Sequence, residues 1–327
     1  ADRHRHLLAS ILRMFEEEGV LARTAEGWRV LCAPDMRDPG HIAEEISSRH
    51  PEATIELSLT TQCGEQLAGV LKGDVDPLNI LFPGGSFDAV EPLYRDSIGA
   101  RIYNGTMQEV VAHATALAPA NHTLRILEVG AGTGSTTASV LPILPPGRTR
   151  YVFTDVSPAF TLRASEAFSA YPFVVYQALD LERSFETQGL AGQQFDLILA
   201  TNCLHATRDL RATLARLRSV LAPSGLLAVI ESSRAHRWLD ITFGLTEGWW
   251  RFEDRDLREH PLLTAPQWQS LLASSGFSSA RALPIEAERD VPTSQSLIVA
   301  QASHETTGAA TPAAPADWLG LAGCTGQ

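Results

Sequence analysis

The chain has 327 residues, 44% hydrophobic and 20% charged, with 38 acidic side chains against 26 basic ones and a formal net charge of −12. That length buries a full core and suggests about two domains, or one with an appendage. With Lys72 the only lysine and no basic stripe, the charge balance argues against binding nucleic acid through its phosphates, and no apolar run approaches the ~20 residues that a membrane-spanning helix needs.

The four cysteines, Cys32, Cys63, Cys203 and Cys324, have no C-x-x-C spacing. They fit neither a zinc site nor a disulfide framework, which predicts a reducing, cytoplasmic setting. The start, Ala1-Asp2-Arg3-His4, has no methionine and no apolar signal core, so the sequence is expected to be cut from a longer chain.

Residues 7–18 place Leu7, Leu8, Ile11, Leu12, Met14 and Phe15 at helical spacing and stop at Gly19. Residues 20–23 and 27–31 predict two short strands. Helical stretches follow near 41–48 and 56–71, the second interrupted by Gly64, and then a loop over 78–86. Residues 1–93 are expected to form a mainly helical N-terminal subdomain, either a lid over a substrate or a packing module. Tyr94 and Tyr103 lie in the run Y-R-D-S-I-G-A-R-I-Y-N (94–104), which leads into an amphipathic helix through Leu117. Each tyrosine either brings a ring or hydroxyl to the site or caps the core edge with its hydroxyl wet.

Residues 94–302 alternate strand and helix, the pattern of a parallel sheet. The stretch T-L-R-I-L-E-V-G-A-G-T-G-S-T-T (123–137) passes from an apolar strand through three glycines into a helix-compatible segment. In an open α/β sheet, ligands lie outside the carboxyl ends of the strands, and Gly130, Gly132 and Gly134 let one approach closely. The spacing is E-x-G-x-G-x-G, led by Glu128. The dinucleotide pattern G-x-G-x-x-G is broken by Ser135, which disfavours a nicotinamide-dependent oxidoreductase. The strand over 150–155 ends at Asp155, placed to accept from ribose hydroxyls, and the strand over 173–180 delivers Asp180 to the same rim.

The strand over 195–202 is almost wholly apolar, hence central and covered on both faces. Asn202 and His205 therefore emerge at the ligand end. After a helix over 210–221, the strand over 226–231 carries Glu231 at its end, on the strand expected beside the fourth. A histidine oriented by a carboxylate is a general base suited to neutral pH. Residues 239–254 gather large aromatics and glycines, an insertion able to build the wall of a substrate tunnel, with Trp249, Trp250 and Glu247 as candidate substrate or lid residues. Glu247 is either a second acid or a helix-face carboxylate. A helix opens near Trp268, and residues 280–285 and 294–302 close the sheet as an antiparallel hairpin. The composition of 303–327 is that of a linker.

The E-x-G-x-G-x-G loop resembles the first motif of class I S-adenosylmethionine-dependent methyltransferases, in which it wraps the methionine part of the cofactor. The wider set, L-E-V-G-A-G-T-G-S-T-T (127–137), F-T-D-V-S (153–157), A-T-N-C-L-H-A-T-R-D-L (200–210), F-G-L-T-E-G-W-W-R-F-E-D (243–254) and P-L-L-T…W (261–268), resembles the methyltransferase domain of modular type I polyketide synthases. The likeness covers roughly 94–302, and L-H-A-T followed by G-L-T-E-G-W-W is its most specific part.

This resemblance implies an α/β fold: a Rossmann-like seven-stranded sheet with helices on both faces, plus the helical lid. It implies S-adenosylmethionine, without a metal, held by Glu128, Gly130, Gly132, Gly134, Asp155, Asp180, Leu181 and Asn202. Asp180 would meet the adenine amino group and Leu181 would flank the ring. It also implies His205 and Glu231 as the catalytic pair, a substrate carried as a thioester on an acyl carrier protein, and neighbouring synthase domains. The tail A-D-W-L-G-L-A-G-C (316–324) faintly resembles the first strand of a ketoreductase-type domain. Methylation is expected at the α-carbon of a β-ketoacyl thioester. The alternatives are methylation of a β-oxygen by the same pair, or an inactive scaffold, which the intact loop and pair disfavour. Cys203 is read as a small buried side chain, because methyl transfer needs no nucleophilic thiol.

Overall fold

The computed structural model describes residues 4–33, 36–283 and 294–303. Two compact units divide it: residues 1–100 together with 235–252, and residues 101–234 together with those from 253 on.

The chain opens with α1 (Arg5–Glu17) and an antiparallel hairpin of β1 (Leu21–Thr24) and β2 (Gly27–Val30), with Leu21 opposite Val30. In α2 (Pro39–Arg49) the first turn is capped by Asp38, whose carboxylate accepts the His41 N–H. Gly64 does not interrupt α3 (Thr54–Lys72), which runs through it and stops at Gly73 in the left-handed conformation, φ 90°. Residues 78–86 are not a plain loop. Asp76 caps α4 (Pro77–Leu81), and Pro83–Gly85 adds a single 3-10 turn. After α5 (Glu91–Arg95), the helix α6 (Ile98–Leu117) leads into the second unit.

The second unit holds β3 (Leu124–Val129), α7 (Ser135–Val140), β4 (Thr149–Asp155), α8 (Pro158–Ala167), β5 (Val174–Ala178), β6 (Phe195–Thr201), α9 (Leu210–Ser219) and β7 (Leu221–Ser232). The chain then forms α10 (Arg237–Thr242), within the first unit, before α11 (Ala265–Ser274), β8 (Phe277–Leu283) and β9 (Gln295–Ala302) complete the second. All seven expected strands form one sheet in the order β5-β4-β3-β6-β7-β9-β8. Strands β3 to β7 pair in parallel, and β9 runs antiparallel to both its neighbours. The expected reach of the penultimate strand to Ile285, and the linker beyond Ser303 with Cys324, lie outside the described residues.

Strand alternation sorts the core into two layers. Leu127, Val129, Ile198, Ala200, Leu227 and Val229 pack with α9 and α11. Leu124, Ile126, Leu197, Leu199, Ala228 and Ile230 pack with α6, α7 and α8. Helices thus cover both faces, and the strands read as apolar runs for that reason. The strand order reverses between β3 and β6, where an open sheet leaves a crevice at the carboxyl ends of its strands.

The first unit has its own core, in which Leu7, Leu59, Cys63, Val70 and Leu81 pack with Leu245. Residues 235–252, grouped by their place in the sequence with the sheet, therefore belong to this unit, and its boundary falls at 100 instead of 93. Among the described residues no helix is long and apolar enough to cross a membrane.

Candidate active site

The turn after β6 and the end of β7 meet through one buried carboxylate. Glu231 has no solvent exposure. Its Oε2 lies 2.7 Å from Nδ1 of His205, while Oε1 accepts the main-chain N–H groups of Leu204 (2.8 Å) and His205 (3.2 Å). A carboxylate only accepts, so this bond calls for a proton on Nδ1, which in a neutral ring leaves the lone pair on Nε2. The imidazole is 13% exposed.

The turn also has an unusual backbone. Asn202 takes φ 49°, a left-handed conformation that asparagine tolerates better than most residues. Its N–H donates to the Ile230 carbonyl, and its Oδ1 accepts from Gln295.

On the other side of the switch point, Gly130, Gly132 and Gly134 all have positive φ, at 58°, 51° and 77°. Only one of them faces space. A Cβ on Gly132 would meet nothing nearer than the Gly130 carbonyl at 3.9 Å, whereas one on Gly130 would strike Cys203 and one on Gly134 would strike Phe168. Asp155 ties the loop to β4, accepting from Gly132 N–H at 3.0 Å and Ser157 N–H at 2.8 Å. Burial raises its carboxyl above the ordinary carboxylate range, and these amide donors offset part of that rise. Asp180 is half-buried at the adjacent strand end and accepts the Glu182 N–H, and Leu181 is largely buried.

Glu128 has a different setting from its loop neighbours. Alternation places it on the same side of β3 as Leu124 and Ile126, 1% exposed. Its Oε2 accepts from the hydroxyls of Thr137 and, at 2.7 Å, Tyr151. Its Oε1 is buried without a hydrogen-bond partner among the described residues. Desolvation by burial, helped by Asp155 and opposed by the two hydroxyls, pushes this carboxyl up to about 7.

A sequence model described as "Methyltransferase domain" matches residues 127–227. The non-reducing polyketide synthase mapC of Penicillium roqueforti is 35% identical over 283 residues, which takes in 84% of this chain and 11% of that one. The crystal structure of the CurJ carbon methyltransferase superposes with a TM-score of 0.88 at 38% identity, over 93% of this chain and 81% of that one. The chain belongs to the methyltransferase domains of polyketide synthases. A third likeness, to the CMeT domain of the citrinin polyketide synthase, has a TM-score of 0.84 at 30% identity, over 93% of this chain and 80% of that one. The chain spans about a tenth of the length of the curated mapC synthase, 11%.

This methyltransferase domain is an S-adenosylmethionine-dependent enzyme, and its loop fits that cofactor. Gly132 opens on a hollow that a side chain would fill, and the Asp155 carboxylate at the end of β4 accepts the Gly132 N–H, while Asp180 follows two residues beyond the end of the neighbouring β5. Gly130 and Gly134 shape the methyltransferase loop through packing, and Glu128 is held within the layer beneath it.

The remaining candidates in the domain are placed as follows. Tyr103 is buried in the sheet unit, its hydroxyl donating to the Gln295 carbonyl. Tyr94 belongs to the first unit, partly buried against its core. Trp249 is 7% exposed there and donates from Nε1 to Asp240 at 3.0 Å, Trp250 donates to the Gly244 carbonyl, and Glu247 is exposed. Trp249 is thus a core side chain of that unit. Cys203 donates toward the Val129 carbonyl, and burial, with Glu231, Asp155 and Glu128 nearby, pushes its thiol well above the ordinary range. It stays a protonated, poor nucleophile.

Residues that pattern reading passed over stand beside the predicted ones. Gln295 braces Asn202, Thr137 and Tyr151 hold Glu128, and the buried pair Asp254–Arg258 (2.7 Å) adjoins the His205 turn. Asp254 and Arg258 lie in a densely charged stretch whose other members, Arg251, Glu253, Arg255, Asp256 and Glu259, are exposed, so nothing in the pattern singled the last pair out.

Proposed function

We propose that this domain methylates the α-carbon of a β-ketoacyl thioester presented on an acyl carrier protein, with His205 as general base and Glu231 orienting it. The observation that carries the reading is the 2.7 Å bond from Nδ1 of His205 to the fully buried Glu231. With Nδ1 protonated, Nε2 takes the proton from the activated carbon, and Glu231 stabilises the imidazolium that results. S-adenosylmethionine supplies the electrophilic methyl group for the carbanion so formed. The partly exposed ring then returns its proton to water. Carbon is preferred to oxygen as the acceptor because two solved structures at 38% and 30% identity bear the names carbon methyltransferase and CMeT domain.

The test is mass spectrometry of matched β-keto and β-hydroxy acyl carrier proteins incubated with enzyme and cofactor, with the added methyl located by fragmentation. A methyl on the α-carbon of the β-keto substrate is expected, and one on the β-oxygen overturns the choice of acceptor. His205→Ala is expected to abolish turnover while S-adenosylhomocysteine binding survives. Near-normal turnover removes His205 from the mechanism, and absence of binding in the unaltered chain points to a scaffold.

A further inference from the structure

We propose that Arg258, paired with Asp254, is a positioning residue for the general base: its guanidinium clamps the main chain of the turn that carries His205. The inference rests on the His205–Glu231 reading given above.

Leu204–Ala206 is a single 3-10 turn, closed from within by the Ala206 N–H on the Cys203 carbonyl at 3.3 Å and by the N–H (3.0 Å) and hydroxyl (2.8 Å) of Thr207 on the Leu204 carbonyl. One edge is anchored by Glu231, which takes the Leu204 and His205 N–H groups. The other edge is anchored by Arg258. Its Nη1 donates to the His205 carbonyl at 2.9 Å and the Pro261 carbonyl at 3.0 Å, and its Nη2 donates to the Thr207 carbonyl. Nε donates to Asp254 Oδ1 at 2.7 Å, and Asp254 Oδ2 accepts the Leu210 N–H, the first residue of α9. The turn and the helix after it are therefore fastened to one ion pair, whose side chains are 1% and 2% exposed.

Stability alone does not explain such a pair. Buried ion pairs are often replaced by packed apolar side chains with no loss of stability. A fork of donors in one rigid plane, reaching one carboxylate and three carbonyls, is particular to arginine; lysine offers a single point of attachment. Rigid main-chain placement matters most for a residue whose ring must meet a reacting carbon, since a displacement of ~1 Å costs on the order of a hundredfold in rate.

Two variants of the full chain test this. Arg258→Lys keeps the charge facing Asp254, and Arg258→Met combined with Asp254→Asn removes both charges while leaving an acceptor for the Leu210 N–H. Turnover of a β-ketoacyl pantetheine thioester is normalised to sites counted by calorimetric binding of S-adenosylhomocysteine. Amide hydrogen exchange is followed over residues 203–210.

In both variants kcat is expected to fall about tenfold to a hundredfold, with S-adenosylhomocysteine affinity and the KM for the cofactor unchanged and exchange over 203–210 faster. An unchanged kcat overturns the proposal. So does a loss of cofactor affinity that parallels the loss of kcat, or a loss of binding in both variants, because either assigns the pair to the framework. His205→Ala is run alongside. If it stays active, the general-base reading fails. If it is inactive while Arg258→Lys is fully active, only the clamp fails.

Discussion

Gly130 and Cys203 are packed so closely that a Cβ on residue 130 would lie 2.5 Å from the Cys203 Cβ and 2.8 Å from its Sγ. The first glycine of the loop therefore fits against the turn that carries the histidine, and at φ 58° it also takes a conformation that side chains disfavour. Gly130→Ala is expected to cost about 2 to 5 kcal/mol, combining left-handed strain with overpacking. Urea unfolding measures it. Adding Cys203→Gly is expected to recover the overpacking part and leave the strain. Cys203→Ala alone keeps turnover within a few-fold, because the thiol has no chemical task here.

Glu128 makes stability depend on pH in a window that can be assigned to one residue. Its carboxyl is raised from the ordinary 4.5 to about 7, so the folded state holds a proton that the unfolded state releases. Its contribution is fully present below about 4.5 and is lost as pH rises through 7. The stability of the unaltered chain relative to Glu128→Gln is expected to fall on the order of 3 kcal/mol across that window. Denaturant titrations of both chains at several pH values measure the difference, in which the other carboxylates cancel. A flat difference means that Glu128 is ionised throughout.

Asp155 receives amide hydrogens from the glycine loop and from the start of α8, so its loss acts on the loop as well as on the ligand. Asp155→Ala is expected to weaken S-adenosylhomocysteine binding by about 1 to 3 kcal/mol, the range for losing hydrogen bonds to a charged group. Isothermal titration calorimetry reads this directly. Affinity equal to that of the unaltered chain means that this carboxylate does not face the cofactor.

The sheet was legible because β3, β4 and β6 are apolar runs that end at a glycine, an aspartate and an asparagine, and β7 is one that ends at Glu231. The pairing of His205 with Glu231 followed from two strand ends opening on one rim. Where pattern reading fell short, the cause was a contact distant in sequence or a local signal with two meanings. Residues 78–86 carry Pro83-Gly84-Gly85 and look like a loop, but Asp76 and Pro77 start a helix before those breakers act. Pro223-Ser224-Gly225 looks like the end of a helix, yet β7 begins at Leu221 and passes through Ser224 at φ 61°, with a register shift against β6. The allegiance of residues 235–252 depends on Leu245 meeting Leu7 and Leu59, far away in the chain. The face that Glu128 takes was legible, since strand alternation puts it on the side of Leu124 and Ile126.

Among the described residues the last strand in sequence is not the last in space: β9 lies between β7 and β8, with Ser296 opposite Glu231. Until synthesis has passed Ala302, the strand bearing the buried glutamate has one bare flank, an open template for pairing with another chain. Dissecting a synthase of this kind with a cut before that residue would expose the same flank, giving aggregated protein whose inactivity says nothing about its chemistry.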